Sequence, residues 1–368
     1  MKSLQKILII ADGYPTAKNV YTGIFVKEQV EELKKLDHKI KYDVYYNPFF
    51  RIFKNAQTKR SFFWRTIQWG LQMICFVPYL FRQYDLVHAH RFFLPVINGA
   101  LYKFFRKKPL IATSHGIRQI EKRFDKKWVK KLFNYCDLVL AVNRDMKENF
   151  LTYFNLPEDK VKTRSCGVDF SAFNAFEATR SDEEYQKDQI ILGFVGGITE
   201  VKRPFLFIKC IEALYQKHPV KGVMIGNGDL MNEIKEYINA KKLPIDVIES
   251  LPYIKLIPYF YRFDLFIFPS CIEPFGLVGV ESLYAKTPVI ASSVGGKKDY
   301  IQDNVNGLFF QKDNLNDLVQ KTERLIIDKE FRIRLKEQTA ESVKHYSNKE
   351  VVKEIYEYYD QLFRDNNQ

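Results

Sequence analysis

Long apolar runs are missing from this sequence. No stretch reaches the roughly 18 consecutive apolar residues that a membrane-crossing helix needs, so a spanning segment is excluded on hydropathy. Cysteine is scarce: five residues, at 75, 136, 166, 210 and 271, odd in number and nowhere spaced CxxC. That excludes a disulfide framework and a zinc ribbon, and it fits a reducing compartment. Met1 to Ile10 lacks the apolar core and small-residue cleavage site of a secretory leader, and reads instead as a first strand. The chain is therefore expected to be cytoplasmic. Also absent are the phosphate loop GxxxxGK[ST], the third glycine of a dinucleotide fingerprint, a DxD sequence, tandem repeats and low-complexity tracts.

Acidic residues are sparse in one half only. Residues 1–170 hold 31 Lys and Arg against 15 Asp and Glu, a net charge of +16, while the remainder carries −3. A one-sided field of this kind suits an anionic membrane surface, an anionic lipid-linked substrate or nucleic acid, and equally a basic surface kept for solubility. No nucleic-acid motif accompanies it, so no nucleic-acid partner is expected.

What is present is α/β. At 368 residues, 46% of them apolar, the chain is long enough for two cores. Lys6–Ile10 reads as a buried strand, and a helix is expected from about Gly23 to Leu36 with Val26, Val30, Leu33 and Leu36 inward. Gly23 either lets the backbone approach a ligand or is a plain turn glycine. Residues 39–46 alternate as a second strand. Residues 49–83 interleave basic side chains with Phe and Trp, Trp64 among them, and then run into an apolar helix. That is the composition of an interfacial membrane contact, and equally of a core helix behind a basic loop. Residues 84–90 form a strand carrying His88 and His90, and 109–116 another ending in His115-Gly116. A helix is expected over 118–134, with Ile120, Phe124, Trp128 and Leu132 inward and Lys122, Lys126, Lys127 and Lys130 on the basic side. Strand 137–142 and the segment Arg164–Asp169 close a first domain, 1–170.

Residues 170–188 are polar and are taken as the link. A second series of strands and helices follows over 171–348, and helix 349–368 is last. Phe194-Val195-Gly196-Gly197 ends a strand, and Lys202 and Arg203 stand where they can meet anions. Residues 247–257 are expected as a strand and loop. The central stretch is Pro269–Ser282. It follows a buried strand, Pro274 suits the first position of a helix, and the open amides from Phe275 onward form an anion-binding start. Glu273 and Glu281 flank that start, two acceptors beside a phosphate site, which suggests a ligand with phosphate and hydroxyls such as a nucleotide sugar.

Glu273-Pro274-Phe275-Gly276 through Glu281 resembles the E-x7-E element of retaining, GT-B-fold glycosyltransferases of family 4. Further pieces match in the family's order: the Gly23 loop, His115-Gly116, Gly167-Val168-Asp169, Phe194-Val195-Gly196, Gly226-Asn227-Gly228, Pro269-Ser270, Pro288–Ser292 with Gly295-Gly296, and Asn306-Gly307. The resemblance implies two doubly wound Rossmann-like domains facing a central cleft, with the last helix crossing back to the first domain. It implies a UDP- or GDP-sugar donor, with Glu281 on the ribose and Glu273 on the transferred sugar. The amides of Gly276, Leu277 and Val278 fall at the sugar or diphosphate, Lys202 on the diphosphate and Gly23 near the phosphates. His115 falls at the reacting sugar. No cofactor or metal beyond the donor is implied, and the acceptor is a glycan or a lipid-linked intermediate reached from the inner face of a membrane. Two departures stand out. Gly197 occupies the family's usual arginine position, for which Arg203 is the expected substitute, and Cys166 replaces a common asparagine. The competing readings are a nucleotide-sugar epimerase or sugar-phosphate synthase on the same fold, and a non-enzymic anionic-surface binder.

Overall fold

The structure is a computed structural model describing residues 5–15, 23–46, 61–91, 93–116, 126–179 and 189–366, with the helix but not the side chains given at 61–66 and 68. Lys122, segment 49–60 and the Trp64 side chain lie outside the described residues. The chain divides into two compact units, one formed by residues 1–167 with 348–368, the other by 168–347.

In the first unit, strands β1 (Gln5–Ala11), β2 (Ile40–Tyr46), β3 (Leu86–His90), β4 (Leu110–Ser114), β5 (Leu138–Ala141) and β6 (Val161–Thr163) alternate with α1 (Ile24–Leu36), α2 (Ser61–Leu80), α3 (Leu94–Arg106), α4 (Lys126–Asn134) and α5 (Arg144–Thr152). All strands are parallel, in the order β2-β1-β3-β4-β5-β6. The second unit runs α6 (Ser171–Thr179), β7 (Ile190–Val195), α7 (Pro204–Leu214), β8 (Val220–Ile225), α8 (Met231–Lys241), β9 (Ile245–Ile248), α9 (Tyr253–Arg262), β10 (Leu265–Phe268), α10 (Leu277–Tyr284), β11 (Val289–Ser292), α11 (Lys297–Tyr300), β12 (Gly307–Phe310), α12 (Leu315–Ile327) and α13 (Lys329–Val343). Its parallel order is β12-β11-β10-β7-β8-β9. The final helix α14 (Asn348–Asp365) belongs to the first unit.

Parallel sheets survive only with both faces covered, which is why their strands read as unbroken apolar runs. In β1, Ile7 and Ile9 face α1 and α14 through Val26, Val30, Ile355 and Tyr359, whereas Leu8 and Ile10 face α2 to α5 through Phe76, Val96, Val129 and Phe150. In the second unit, Leu192 and Phe194 pack on α7, α8 and α12, while Phe266 and Phe268 pack on α6, α9 and α10.

Four local expectations change. Residues 170–188 do not simply link domains: α6 carries Phe173, fully buried among second-unit aromatics, because Phe170, Phe173 and Phe176 recur every three residues onto one face. The strand and loop expected over 247–257 are found only as far as residue 252; from Tyr253 the chain is α9, whose Ile257, Phe260 and Tyr261 are buried although Pro258 lies inside the helix. Pro274 is not the first helical residue, since α10 starts at Leu277 behind Gly276. In α4 the inward residues are Val129 and Phe133, leaving Trp128 exposed. Helices α3 and α5 were not anticipated at all.

Phe173 tests the reassignment of α6. Its ring lies 5.9–6.2 Å from those of Phe260, Tyr261 and Tyr284, and the Tyr261 hydroxyl donates to its carbonyl at 3.2 Å. Phe173→Ala is expected to cost about 3–5 kcal/mol, read as a lower urea midpoint with an unchanged slope. A loss below about 1 kcal/mol, the range of surface changes, would make α6 a peripheral linker.

Candidate active site

In the second unit the chain leaves β7, builds β8 and β9 on one side, then returns to β10 on the other. The loops after β7 and β10 therefore diverge from adjacent strand ends, the switch point at which open α/β sheets bind ligands. After β7 the chain passes Gly196, faced by Gly226 at φ +156°, where a Cβ would come within 1.8 Å of the Gly196 carbonyl oxygen. Gly197 differs. A Cβ there would meet nothing closer than 3.7 Å, so packing does not demand the missing side chain.

Lys202 ends a short 3-10 turn, Glu200–Lys202, and its Nζ donates to Glu273 Oε2 at 2.5 Å. The Glu273 side chain is 7% exposed and that of Lys202 is 28% exposed, so the carboxylate is buried while its partner reaches solvent. Arg203 has carboxylate partners of its own. Its Nε donates to Asp313 at 2.8 Å and its Nη1 to Glu200 at 3.2 Å, so carboxylates engage the guanidinium expected to replace a cation at Gly197.

Gly276 caps α10 at φ +88°, where a Cβ would sit 2.8 Å from both Glu273 Cγ and the Phe268 ring. Behind that left-handed turn the helix opens with half-buried Leu277 and Val278. Helix starts carry unpaired amides and the positive end of the dipole. Glu281 lies one turn further, and its buried carboxylate accepts from the Tyr253 hydroxyl at 3.1 Å. Tyr253 opens α9, the helix that sequence reading took for a loop.

Lys297 is the residue that sequence reading missed here. It is fully buried, and its Nζ donates to Ser270 O at 2.9 Å, Ser292 Oγ at 2.6 Å and Phe268 O at 3.3 Å. Burial pulls its ammonium down to about 7, with the Glu273 carboxylate opposing and Lys202 adding to that shift. The only signal in the sequence was a lysine directly after Gly295-Gly296, where a buried charge is least expected.

The first unit has its own switch point, between β1 and β3. There Gly23 (φ +69°) caps α1 against the Gly13 carbonyl, which a Cβ would approach to 2.2 Å. The Phe25 ring packs against the half-buried His115 ring, centroids 4.6 Å apart and planes tilted by 49°. His115 Nε2 lies 3.5 Å from His90 Nδ1, and its Nδ1 3.7 Å from Cys166 Sγ, so the residue standing for the usual asparagine touches this histidine. His88 is anchored on Tyr359 of α14 at 2.6 Å and on Thr113 at 2.7 Å. Asp12, in the turn after β1, is pushed up to about 7 by burial, with Arg91 opposing. Backbone strain gathers at the same place: Arg91 and Phe93 both hold positive φ, 75° and 83°.

His90 is wholly buried, and its Nε2 has no partner among the described residues. Burial lowers its pKa to about 3, and burial also holds His88 and His115 well below the ordinary value. All three are neutral imidazoles at pH 7. An unfolded histidine takes up a proton below about 6.5, which native His90 refuses until about 3. The unfolded state binds more protons in that window, so stability falls as pH drops from about 6.5 toward 3. His90→Phe is expected to flatten the decline by about 1.4 kcal/mol per pH unit, measured from urea midpoints between pH 6.5 and 4.5. Parallel declines in both proteins would mean that native His90 titrates normally.

Two family models match the chain, Glycosyltransferase Family 4 over residues 23–172 and Glycosyl transferases group 1 over residues 175–342. The D-inositol 3-phosphate glycosyltransferase of Corynebacterium glutamicum is 25% identical over 291 residues, 72% of this chain and 69% of that one. The capsular polysaccharide biosynthesis glycosyltransferase CapM of Staphylococcus aureus is 26% identical over 250 residues, 64% of this chain and 65% of that one. Among solved structures, Anabaena HepE in complex with UDP and glucose superposes with a TM-score of 0.71 at 18% identity, over 97% of this chain and 100% of that one. That likeness shows a shared fold, two Rossmann-like sheets of the GT-B kind. With both halves matched and the E-x7-E carboxylates standing at a switch point, the chain belongs to the group 1, family 4 glycosyltransferases.

Proposed function

We propose that this glycosyltransferase is a retaining, metal-independent enzyme moving a hexose or N-acetylhexosamine from a UDP- or GDP-sugar to a lipid-linked or cell-surface glycan intermediate. The observation that carries the reading is the Lys202–Glu273 pair beside the start of α10. As the sugar–phosphate bond breaks, its electron pair goes to the diphosphate oxygen. Lys202 and the amides of Leu277 and Val278 oppose that developing charge without reorganising. The acceptor oxygen bonds to the sugar carbon on the face the diphosphate leaves, and its proton passes to the departing phosphate oxygen. Glu273 accepts from hydroxyls of the transferred sugar and Glu281 from the ribose. In this reading His115, neutral at physiological pH, is assigned to the reacting sugar, and the diphosphate end of the donor approaches the Gly23 turn.

UDP in a structural neighbour and a capsular-polysaccharide relative support a nucleotide-sugar donor and a glycan acceptor. The inositol-phosphate relative favours a second reading, transfer to a soluble sugar phosphate. Glu281→Ala is expected to reduce nucleoside diphosphate release at least about 100-fold, the scale of a lost transition-state contact. UDP- and GDP-sugars, screened for a rise in melting temperature, identify the donor beforehand. Full turnover by Glu281→Ala would be incompatible with this assignment.

Membrane contact is part of the proposal, and no described helix is long and apolar enough to cross a bilayer. Lys126 and Lys127 are exposed on α4, with Lys130 half-buried beside them and Trp128 exposed. The neighbouring helices contribute Ile74, Phe81, Phe104 and Phe105, each 58–78% exposed, and the Arg106 guanidinium ties the ends of α2 and α3 together through Leu80 O and Phe81 O. Aromatic side chains beside lysines suit the headgroup layer of an anionic bilayer. Flotation with vesicles containing phosphatidylglycerol is expected for the wild type. It should be lost in Phe81→Ser/Phe105→Ser and weakened by Lys126→Glu/Lys127→Glu. Equal flotation of all three proteins would sink the membrane assignment and leave the donor assignment standing.

A further inference from the structure

Lys297 has a place in the donor site that its burial alone does not explain. The Gly295-Gly296 turn before it is pressed against the segment carrying Glu273. Gly296 N donates to Glu273 O at 3.2 Å, and a Cβ at Gly295 would lie 1.9 Å from the same oxygen. The buried ammonium then gathers the end of β10. It binds the carbonyls of Phe268 and Ser270 and the hydroxyl of Ser292, which itself donates to Ser270 O at 2.7 Å. None of these three acceptors is charged, so the carboxylate that favours the charged form of the lysine is that of Glu273. Lys202 and Lys297 both lie over the Phe268 ring, at 5.9 and 4.9 Å. Glu273 is hydrogen-bonded to Lys202 and attracted to Lys297 across the same space.

This arrangement answers a difficulty in the donor reading. If Lys202 turns toward a diphosphate, it leaves a nearly buried carboxylate behind, and a buried charge without a counter-charge is strongly unfavourable. We propose that Lys297 is a positioning residue that holds the Pro269–Glu273 segment and keeps Glu273 charge-paired while Lys202 is drawn to the phosphates of the donor. The inference rests on the donor reading of this site and adds a second cation to it. The charges facing Lys297 are few. The loop after β10 presents Glu273 and Cys271, the turn before α7 presents Lys202, and β11 offers only the Ser292 hydroxyl. Lys202 depresses the charged form of Lys297 and Glu273 favours it. Withdrawing Lys202 into an ion pair with phosphate therefore raises the proton affinity of Lys297, and donor binding takes up a proton near neutral pH.

Two measurements on the full chain test this. In protein labelled with 13C at lysine Cε, the Lys297 resonance (assigned by its loss in Lys297→Met, or in Lys297→Arg if the first variant does not fold) should titrate near pH 7. Its midpoint should rise by about one unit in Lys202→Met and fall by about one in Glu273→Gln, the scale of a close charge partner. A midpoint unmoved in both variants overturns the coupling. Calorimetric titration of UDP and GDP at pH 7.5, in buffers of different ionisation enthalpy, should show uptake of a fraction of a proton by the wild type and none by Lys297→Met. Binding without proton uptake overturns the hand-over alone. Failure of both nucleotides to bind overturns the reading of the site on which the hand-over rests, while the resonance shifts still decide the coupling.

Discussion

A carboxylate removed from water and held by a lysine that still reaches water is the constraint around which the second unit is organised. Glu273 cannot be buried without a cation, and truncating one partner of a buried pair costs about 3–5 kcal/mol. The fold meets that requirement with position rather than with many contacts. β7 and β10 are neighbours in the sheet but diverge in connectivity, which places the turn carrying Lys202 beside the loop carrying Glu273. Every glycine that packing demands nearby then follows. Gly276 lies against Glu273 and Phe268, Gly295 against the Glu273 carbonyl, and Gly296 against Pro274 and Phe275. A side chain at any of them would collide with the segment that carries Glu273, its neighbours or the Phe268 ring.

The first unit meets the same topological rule with different chemistry. Its switch point holds three imidazoles instead of an ion pair, and burial keeps all of them neutral. Neutral rings donate and accept hydrogen bonds without bringing a charge to these strand ends. α14 contributes here through Tyr359, which fixes His88 and so the strand end on which His90 sits. The C-terminal helix is thus part of the floor of this site.

Much of this was legible in the sequence because parallel strands announce themselves. Ile7–Ile10, Leu265–Phe268 and Pro288–Ser292 are apolar runs closed by glycine or polar turns, and each proved to be a buried strand. The E-x7-E spacing located both carboxylates for the same reason: the turn around Gly276 leaves little freedom in where they lie. What escaped was decided by tertiary packing. α9 has a proline inside it and α6 lies in a polar stretch, yet each is held by aromatic rings whose neighbours are distant in sequence. Arg203, expected to stand in for the cation absent at Gly197, shows the same limit. A left-handed backbone at Arg203 turns its side chain toward Asp313, 110 residues away, which no local pattern reveals.

Lys297 shows why charge is the hardest quantity to read from sequence. A lysine is placed on the surface by default because its ammonium is strongly hydrated, and only the arrangement of three uncharged oxygens and a nearby carboxylate makes burial tolerable. Gly197 poses the converse case. Its Cβ position is open, so a longer side chain was dispensable there rather than impossible. A side chain at Gly197 would extend into open space, whereas Lys297 is enclosed beneath the loop that carries Glu273. The two solutions differ in their consequence. An arginine in open space always keeps its charge, whereas burial brings the loss of charge at Lys297 down to about pH 7.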